Sequence, residues 1–416
     1  MPRRQGLTLL IALLAGTAAL AAAVAFAGSL LFTGERATAA ASTAPQGAAK
    51  APAAPAHSAG HWLATWAAAP VTGVADPAQA RDQSRRIIRN VVHTSVGGSE
   101  ARVTLSNLFG TRPLLVDHVT VNTRPVTFGG TASVTIAAGG QTVSDAVAVP
   151  VEADADLVVA LRTPTADGPV TAHPNSHQTS YTEDERGTWS TTQWRYLTAV
   201  DVRGGATAAT ATVVAFGDSL TAGTGSTTDA NTRWPDVLAD RLHGRYAVVN
   251  QGIGGNRLLL DDTGPRALDR FDRDVLGVSG VKTVVIALGI NDVQALPRET
   301  DPARITAALR GLTDRAHARG LRVLGATLMP YEGWRNWTAD GERVRQAVNT
   351  EIRAGGVFDE VLDFDASLRD PAAPGRLRAE YDAGDHLHLN DAGYARLAAL
   401  PDLGTLLATR PTADAL

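Results

Sequence analysis

Ser219 stands near the end of the run Thr212-Val213-Val214-Ala215-Phe216-Gly217-Asp218-Ser219-Leu220-Thr221. Apolar and β-branched residues there deliver a hydroxyl into a tight turn just behind a glycine. Such a run reads as a buried strand, and a helix-like segment follows from about Thr232. The hydroxyl therefore belongs at the C-terminal edge of a parallel sheet, where open α/β folds bind ligands. A serine is a weak nucleophile unless a base takes its proton and a third group orients that base. Asp385-His386-Leu387-His388 offers both, because a carboxylate three residues before an imidazole can curl beneath it. The acid would hold the proton on one ring nitrogen of His388 and leave the other to accept from serine.

Two further islands could stabilise an oxyanion. In Asn250-Gln251-Gly252-Ile253-Gly254-Gly255-Asn256, glycines allow a sharp turn and close backbone approach, with an N–H left to donate. Gly255 and its neighbour Gly254 both fit that role. In Gly289-Ile290-Asn291-Asp292 the Asn291 amide could donate without titrating. Each island alone has an ordinary explanation: a chance tetrapeptide, a turn, a helix cap, a surface hydrogen bond. Their joint placement is what carries weight. Ser219, Gly255 and Asn291 follow the first, second and third strand-like runs, and the Asp385–His388 pair follows the fifth, so all four fall on one sheet edge.

The elements that must hold them begin after Gly204-Gly205. Strand-like runs lie at 212–217, 246–250, 281–288, 321–328 and 358–363, with helical segments between and after them. The clearest helix opens at Asp301-Pro302, and its Ile305, Leu309, Leu312 and Ala316 recur at helical spacing. Strand–helix alternation of this kind predicts an α/β domain over 206–405 with a doubly wound, five-stranded parallel sheet. Residues 61–205 read as β. Short runs at Ile87–His93, Ala101–Ser106, Val119–Asn122, Ala132–Ala137 and Leu157–Leu161 are separated by Gly97-Gly98, Gly129-Gly130, Gly139-Gly140 and Asp167-Gly168. That spacing predicts an all-β sandwich or jelly roll. Residues 40–60 are Ala/Pro/Ser-rich and read as a linker, and 406–416 as a tail. Arg3 and Arg4 ahead of an uncharged Ala/Leu-rich run from Leu7 to Phe32 make residues 1–39 a signal peptide or a membrane anchor. Ala25-Phe26-Ala27 and Ala37-Thr38-Ala39 are the cleavable sites.

Composition narrows the chemistry. The chain has 416 residues, with 38 basic against 42 acidic for a net charge of −4. The basic residues form no stripe, which argues against a nucleic-acid partner. With no cysteine, disulfides, thiol nucleophiles and zinc–thiolate sites are excluded. His173 and His177 bracket Pro174 in a loop-like segment, so they read as neutral structural histidines and no metal site is expected. An α/β-hydrolase elbow needs glycine where Thr221 stands. A dinucleotide loop opening at Gly223-Thr224-Gly225 lacks its third glycine at Thr228.

Taken in order, Gly-Asp-Ser-Leu, the glycine after the second strand, Gly-x-Asn-Asp and Asp-x-x-His resemble the four blocks of the SGNH/GDSL hydrolases, over roughly residues 211 to 403. The resemblance implies a flavodoxin-like sheet and a cofactor-free serine esterase. Ser219 would be nucleophile, His388 general base and acid, and Asp385 its orienting carboxylate. Ser219, Gly255 and Asn291 would form the oxyanion hole. The chain departs from the family pattern at Leu389, often proline, and His386, often glycine. The β-region, with its His-Trp-Leu-Ala-Thr-Trp opening, resembles the N-terminal domain of a secreted bacterial subgroup. The expected product of this reading is a secreted esterase acting on small acyl or acetyl esters of lipids or carbohydrates. The alternative is a non-catalytic polysaccharide- or cell-wall-binding protein with a degenerate hydrolase domain. Trp62, Trp66, Trp189 and Trp194 could serve cell-wall or polysaccharide contact or simply pack, and Trp334 and Trp337 could wall the site. Oligomeric state is not legible.

Overall fold

Runs of Val, Ile, Leu and Ala that do not alternate with polar residues must be covered on both faces, as parallel strands are. In the computed structural model, which describes residues 61–73, 86–166, 168–205 and 209–402, the five such runs pair as expected. They are β1 (Thr212–Gly217), β2 (Ala247–Gly252), β3 (Val281–Ala287), β4 (Arg322–Ala326) and β5 (Glu360–Leu362). All neighbours are parallel, in the order β2-β1-β3-β4-β5. The chain leaves β1 to one side for β2 and returns to the other for β3, so the order reverses beside β1. A crevice opens at the carboxyl ends of the strands at such a reversal. Gly217 is level with both Gly252 and Ala287, which brings three strand ends to one height. The leader, the linker and the tail expected at 1–39, 40–60 and 406–416 lie outside the described residues.

Eight helices among the described residues connect and cover this sheet: α1 (Ser219–Ala222), α2 (Trp234–Leu242), α3 (Ala267–Phe271), α4 (Ile290–Gln294), α5 (Pro302–His317), α6 (Ala339–Arg353), α7 (Phe364–Leu368) and α8 (Asp391–Ala398). α2 packs on α8 and β2, and α5 on α6 and β4. The α5 reading holds in detail. Asp301 caps the helix by accepting from the Ala303 N–H at 2.9 Å, and Ile305, Leu309, Leu312 and Ala316 are all buried. The helix-like segment expected from Thr232 begins at Trp234, yet a shorter helix, α1, starts at Ser219 itself. α3 runs on into a single π turn, Asp272–Leu276.

The described residues of 61–205 form antiparallel sheets. In one, Gly98–Ser106 is flanked by Leu197–Arg203 and by Gln141–Val143 and Val147–Val151, with Leu63–Ala67 beyond. In another, Ala155–Arg162 lies between Ile87–Thr94 and Leu114–Val121. Val103, Leu105, Val200 and Val202 of the first share a single core with Val92, Val159, Leu161 and Val121 of the second. The strand expected at Val119–Asn122 starts earlier, at Leu114, and stops before Asn122, whose φ of 51° takes the turn. Trp66 and Trp194 are core residues, 5% and 3% exposed, packed edge to face at 4.8 Å. Trp62 lies between the Arg102 and Arg203 guanidinium groups, each 4.5 Å from its ring. Trp189 remains exposed.

The antiparallel and parallel parts belong to one compact unit that spans the described residues. Ala64 and Ala67 sit in the core around the parallel sheet, and Ala247 of β2 sits in the core of the antiparallel part. Among the described residues no helix is long and apolar enough to cross a membrane.

Candidate active site

α1 begins at Ser219 because Asp218, in a non-helical conformation, caps it: its carboxylate accepts from the Leu220 N–H at 3.0 Å. The helix lies directly on β2, and a Cβ on Gly252 would stand 2.2 Å from the Ala222 nitrogen, so only glycine permits that approach. Asp218 is buried, and burial, with the Asp292 charge adding to it, pushes its carboxyl up to about 7. Ser219 is 6% exposed, at the mouth of the crevice.

The Ser219 hydroxyl meets the Nε2 atom of His388 at 3.0 Å. The Nδ1 atom of the same ring lies 2.6 Å from Asp385 Oδ2. The other oxygen of Asp385 accepts from the Leu387 and His388 N–H groups at 3.0 and 2.8 Å. Burial pushes the Asp385 carboxyl up, but these hydrogen bonds outweigh it and hold the group below its ordinary value. An ionised carboxylate accepts only, so Nδ1 carries the proton and Nε2 is left to accept from the serine.

The histidine loop is tied down on both sides. Asn390 caps α8 through the Gly393 N–H, and Asp391 accepts from the Thr227 N–H and hydroxyl at 2.9 and 2.6 Å and from the Thr232 hydroxyl at 2.5 Å. The Tyr394 hydroxyl donates to the Thr224 carbonyl at 2.7 Å. The segment after α1 is thus bound to the helix after His388. His386, where the resemblance would place glycine, has φ of 68° and is held in that left-handed conformation by Asp382, which contacts its Nδ1 at 2.7 Å. Leu389 is fully buried.

Asn291 is the second residue of α4 and 3% exposed. Its Nδ2 donates to the Asn256 carbonyl at 2.9 Å, and its Oδ1 accepts from Gln294 Nε2 at 2.8 Å. One amide N–H therefore remains for a ligand. Asp292 accepts from the Leu258 and Leu259 N–H groups at 2.7 and 2.9 Å, which staples the glycine-bearing loop to α4. In that loop Gly255 has φ of 76°, and a Cβ there would come within 2.6 Å of Thr263 Oγ1, whereas a Cβ on Gly254 meets nothing.

Arg270, which the sequence did not flag, lies beneath all of this. Its fully buried guanidinium donates to the carbonyls of Gly217 and Gln251 at 2.8 and 2.9 Å and to Asn256 Oδ1 at 2.9 Å, and pairs with Asp274 at 3.0 Å. It sits 4.1 Å from the Phe216 ring. Burial lowers its pKa to about 10 against the opposing pull of Asp274. It remains charged and joins the ends of β1 and β2 to the glycine loop. The only hint was its spacing of four from Asp274, which is common on any helix surface.

Trp334 stands beside the site as expected, its ring 5.7 Å from that of His388 and nearly perpendicular to it. Its indole N–H donates to Gln294 Oε1 at 2.9 Å, as does Asn336 Nδ2 at 2.8 Å. Trp337, like Trp334, packs against the core around the parallel sheet. His173 is buried, contacts the Ala69 carbonyl through Nδ1 at 2.8 Å, and is pushed down by burial to about 4, so it is a neutral structural imidazole.

Residues 215–396 match the GDSL-like Lipase/Acylhydrolase family. No curated protein matches the chain. Among solved structures it is similar to a GDSL-like lipase from Bacteroides thetaiotaomicron VPI-5482, at 20% identity over 45% of this chain and 84% of that one, with a TM-score of 0.37. A carbohydrate acetylesterase from Sinorhizobium meliloti is 18% identical over 45% of this chain and 94% of its own, with a TM-score of 0.37. An aryl esterase from M. smegmatis is 19% identical over 45% and 94%, with a TM-score of 0.38.

Proposed function

Because the chain belongs through residues 215–396 to the GDSL-like lipase/acylhydrolase family, and is thereby a carboxylic ester hydrolase, we propose that Ser219, His388 and Asp385 are its catalytic triad. The observation that carries this reading is the continuous contact from Asp385 through His388 to the Ser219 hydroxyl, at 2.6 and 3.0 Å. Ser219 attacks the ester carbonyl as His388 Nε2 takes its proton, and Asp385 steadies the resulting imidazolium. The N–H groups of Ser219 and Gly255 and the free N–H of Asn291 receive the oxyanion. The intermediate collapses when His388 returns the proton to the departing alcohol. Water, deprotonated by the same nitrogen, then cleaves the acyl-enzyme and frees the serine.

The substrates we propose are small acyl or acetyl esters of carbohydrates or lipids, since beyond the leader-like run of residues 7–32 nothing in the sequence reads as a long apolar lid over an extended chain. Export is proposed from the leader-like composition of residues 1–39, and polysaccharide contact by the β-region from the exposed ring of Trp189. The test is direct. Ser219→Ala should abolish ester hydrolysis and labelling by a fluorophosphonate, and an active Ser219→Ala protein would remove the triad. Initial rates on nitrophenyl esters of increasing chain length, beside acetylated polysaccharides, should peak at the short acyl groups.

A further inference from the structure

A primary amide can donate to an oxyanion only if its nitrogen faces the right way, and its nitrogen and oxygen fit the same space. Something must set the polarity of Asn291. The Asn256 carbonyl holds its NH2 from one side and Gln294 Nε2 donates to its Oδ1 from the other, so Gln294 is the side chain whose own polarity must agree with that direction. Gln294 is in turn set by Trp334. An indole N–H donates and never accepts, so the Gln294 atom facing it must be oxygen. With Oε1 so placed, Nε2 points at Asn291 and the Asn291 oxygen turns towards it. The Asn291 NH2 then faces the acceptor-only carbonyl of Asn256 with one proton to spare. Gln294 is 7% exposed, so a mismatched donor pair there would have no water to relieve it.

We infer that Trp334, acting through Gln294, is a positioning residue that fixes the direction of the Asn291 amide in the oxyanion hole; this rests on the ester-hydrolase reading of the Ser219 site. The same indole borders the His388 ring and, through Gln294, reaches the Asn291 amide. Two substitutions separate this role from packing. Trp334→Phe keeps a ring against His388 and deletes the fixed donor. Gln294→Glu keeps size and still accepts from Trp334 and Asn336. It presents an acceptor to Asn291 Oδ1, however, so the amide is caught between two acceptors, that carboxylate and the Asn256 carbonyl, and its NH2 is no longer held in the hole.

The experiment measures kcat and KM for nitrophenyl acetate with Trp334→Phe, Gln294→Glu, Asn291→Ala and the two double variants carrying Asn291→Ala. Gln294→Glu should lower kcat by about 10²-fold, approaching the loss of an oxyanion donor, with KM little changed. Trp334→Phe should lower kcat less. In the Asn291→Ala background neither substitution should cost anything further, because both act only through that amide. The ratio of Gln294→Glu to wild-type kcat should also rise as pH falls. Protonation gives the introduced carboxyl an O–H to donate to Asn291 Oδ1, which restores the original polarity.

Losses that multiply in the Asn291→Ala background would overturn the inference, as would a pH-independent ratio. Where Gln294→Glu does not fold, Trp334→Phe with and without Asn291→Ala carries the test alone. An active Ser219→Ala protein would overturn the assignment of the reacting centre to Ser219 and this inference together. An inactive Ser219→Ala protein with multiplicative losses overturns this inference alone.

Discussion

Asp218 places a buried carboxyl immediately before Ser219, the proposed nucleophile, and its elevated pKa makes it a liability in alkali. The folded group titrates at about 7, against about 3.9 for an unfolded aspartate. Between those values the folded chain holds a proton that the unfolded chain has released, so stability falls as pH rises towards 7. Asp218→Asn keeps an acceptor for the Leu220 N–H and removes the titration. Its melting temperature should exceed that of the wild type above about pH 7, with the gap closing by about pH 4; calorimetry at the two ends reads this directly, and a constant gap counts against it. Asp385 behaves in the opposite sense. Its folded pKa is lowered, so its contribution is present above the ordinary carboxylate value and is lost only as pH falls below it. Asp385→Asn should reduce kcat by about 10³–10⁴-fold through loss of the correct His388 tautomer, with KM near normal.

At the scale of elements, the glycine loop after β2 gives a contrast between neighbours. Gly255→Ala must hold a φ of 76° and displace Thr263 Oγ1, while Gly254→Ala meets open space. The first should lose about 1–2 kcal/mol of stability and most of its kcat; the second should retain both. A Gly254→Ala protein that is inactive yet stable would move the proposed donor one residue earlier. The four motif islands and the five parallel strands were legible in the sequence because each couples a composition to a position. β-branched runs mark strands, Ser219 and Asn291 follow them within a few residues, and the Asp385–His388 pair stands just before the last helix. Arg270 was not legible, because what distinguishes it is convergence: residues 217, 251, 256 and 274 meet its guanidinium only after the chain has folded. α1 was hidden for another reason. A four-residue helix has too few positions to show a period, and its cap, Asp218, reads equally well as part of a turn. For Trp66 and Trp194 the sequence left packing and ring contact open, because burial cannot be read from a tryptophan's neighbours, and both are packed in the core.

On the scale of the molecule, the antiparallel sheets and the hydrolase sheet exchange core residues and hydrogen bonds. Besides Ala64, Ala67 and Ala247, the Ala64 N–H donates to the Ser279 carbonyl at 3.1 Å, and Asp229 accepts from the Thr179 N–H and hydroxyl at 2.5 and 2.6 Å. Shared packing of this kind should couple the two parts in unfolding. We expect a single calorimetric transition, with tryptophan fluorescence and esterase activity lost at the same temperature; two resolved transitions would contradict it. The contact between Ser219 and His388 spans 169 positions of sequence, with Asp385 arriving three residues before the histidine. A ribosome or a translocation pore releases this chain from the amino end, so the hydroxyl emerges long before anything that can take its proton. Until α8 docks and Asp391 seizes Thr227 and Thr232, the nascent polypeptide carries a serine no more reactive than any other. On the proposed triad, hydrolysis of any ester therefore waits until the fold is complete.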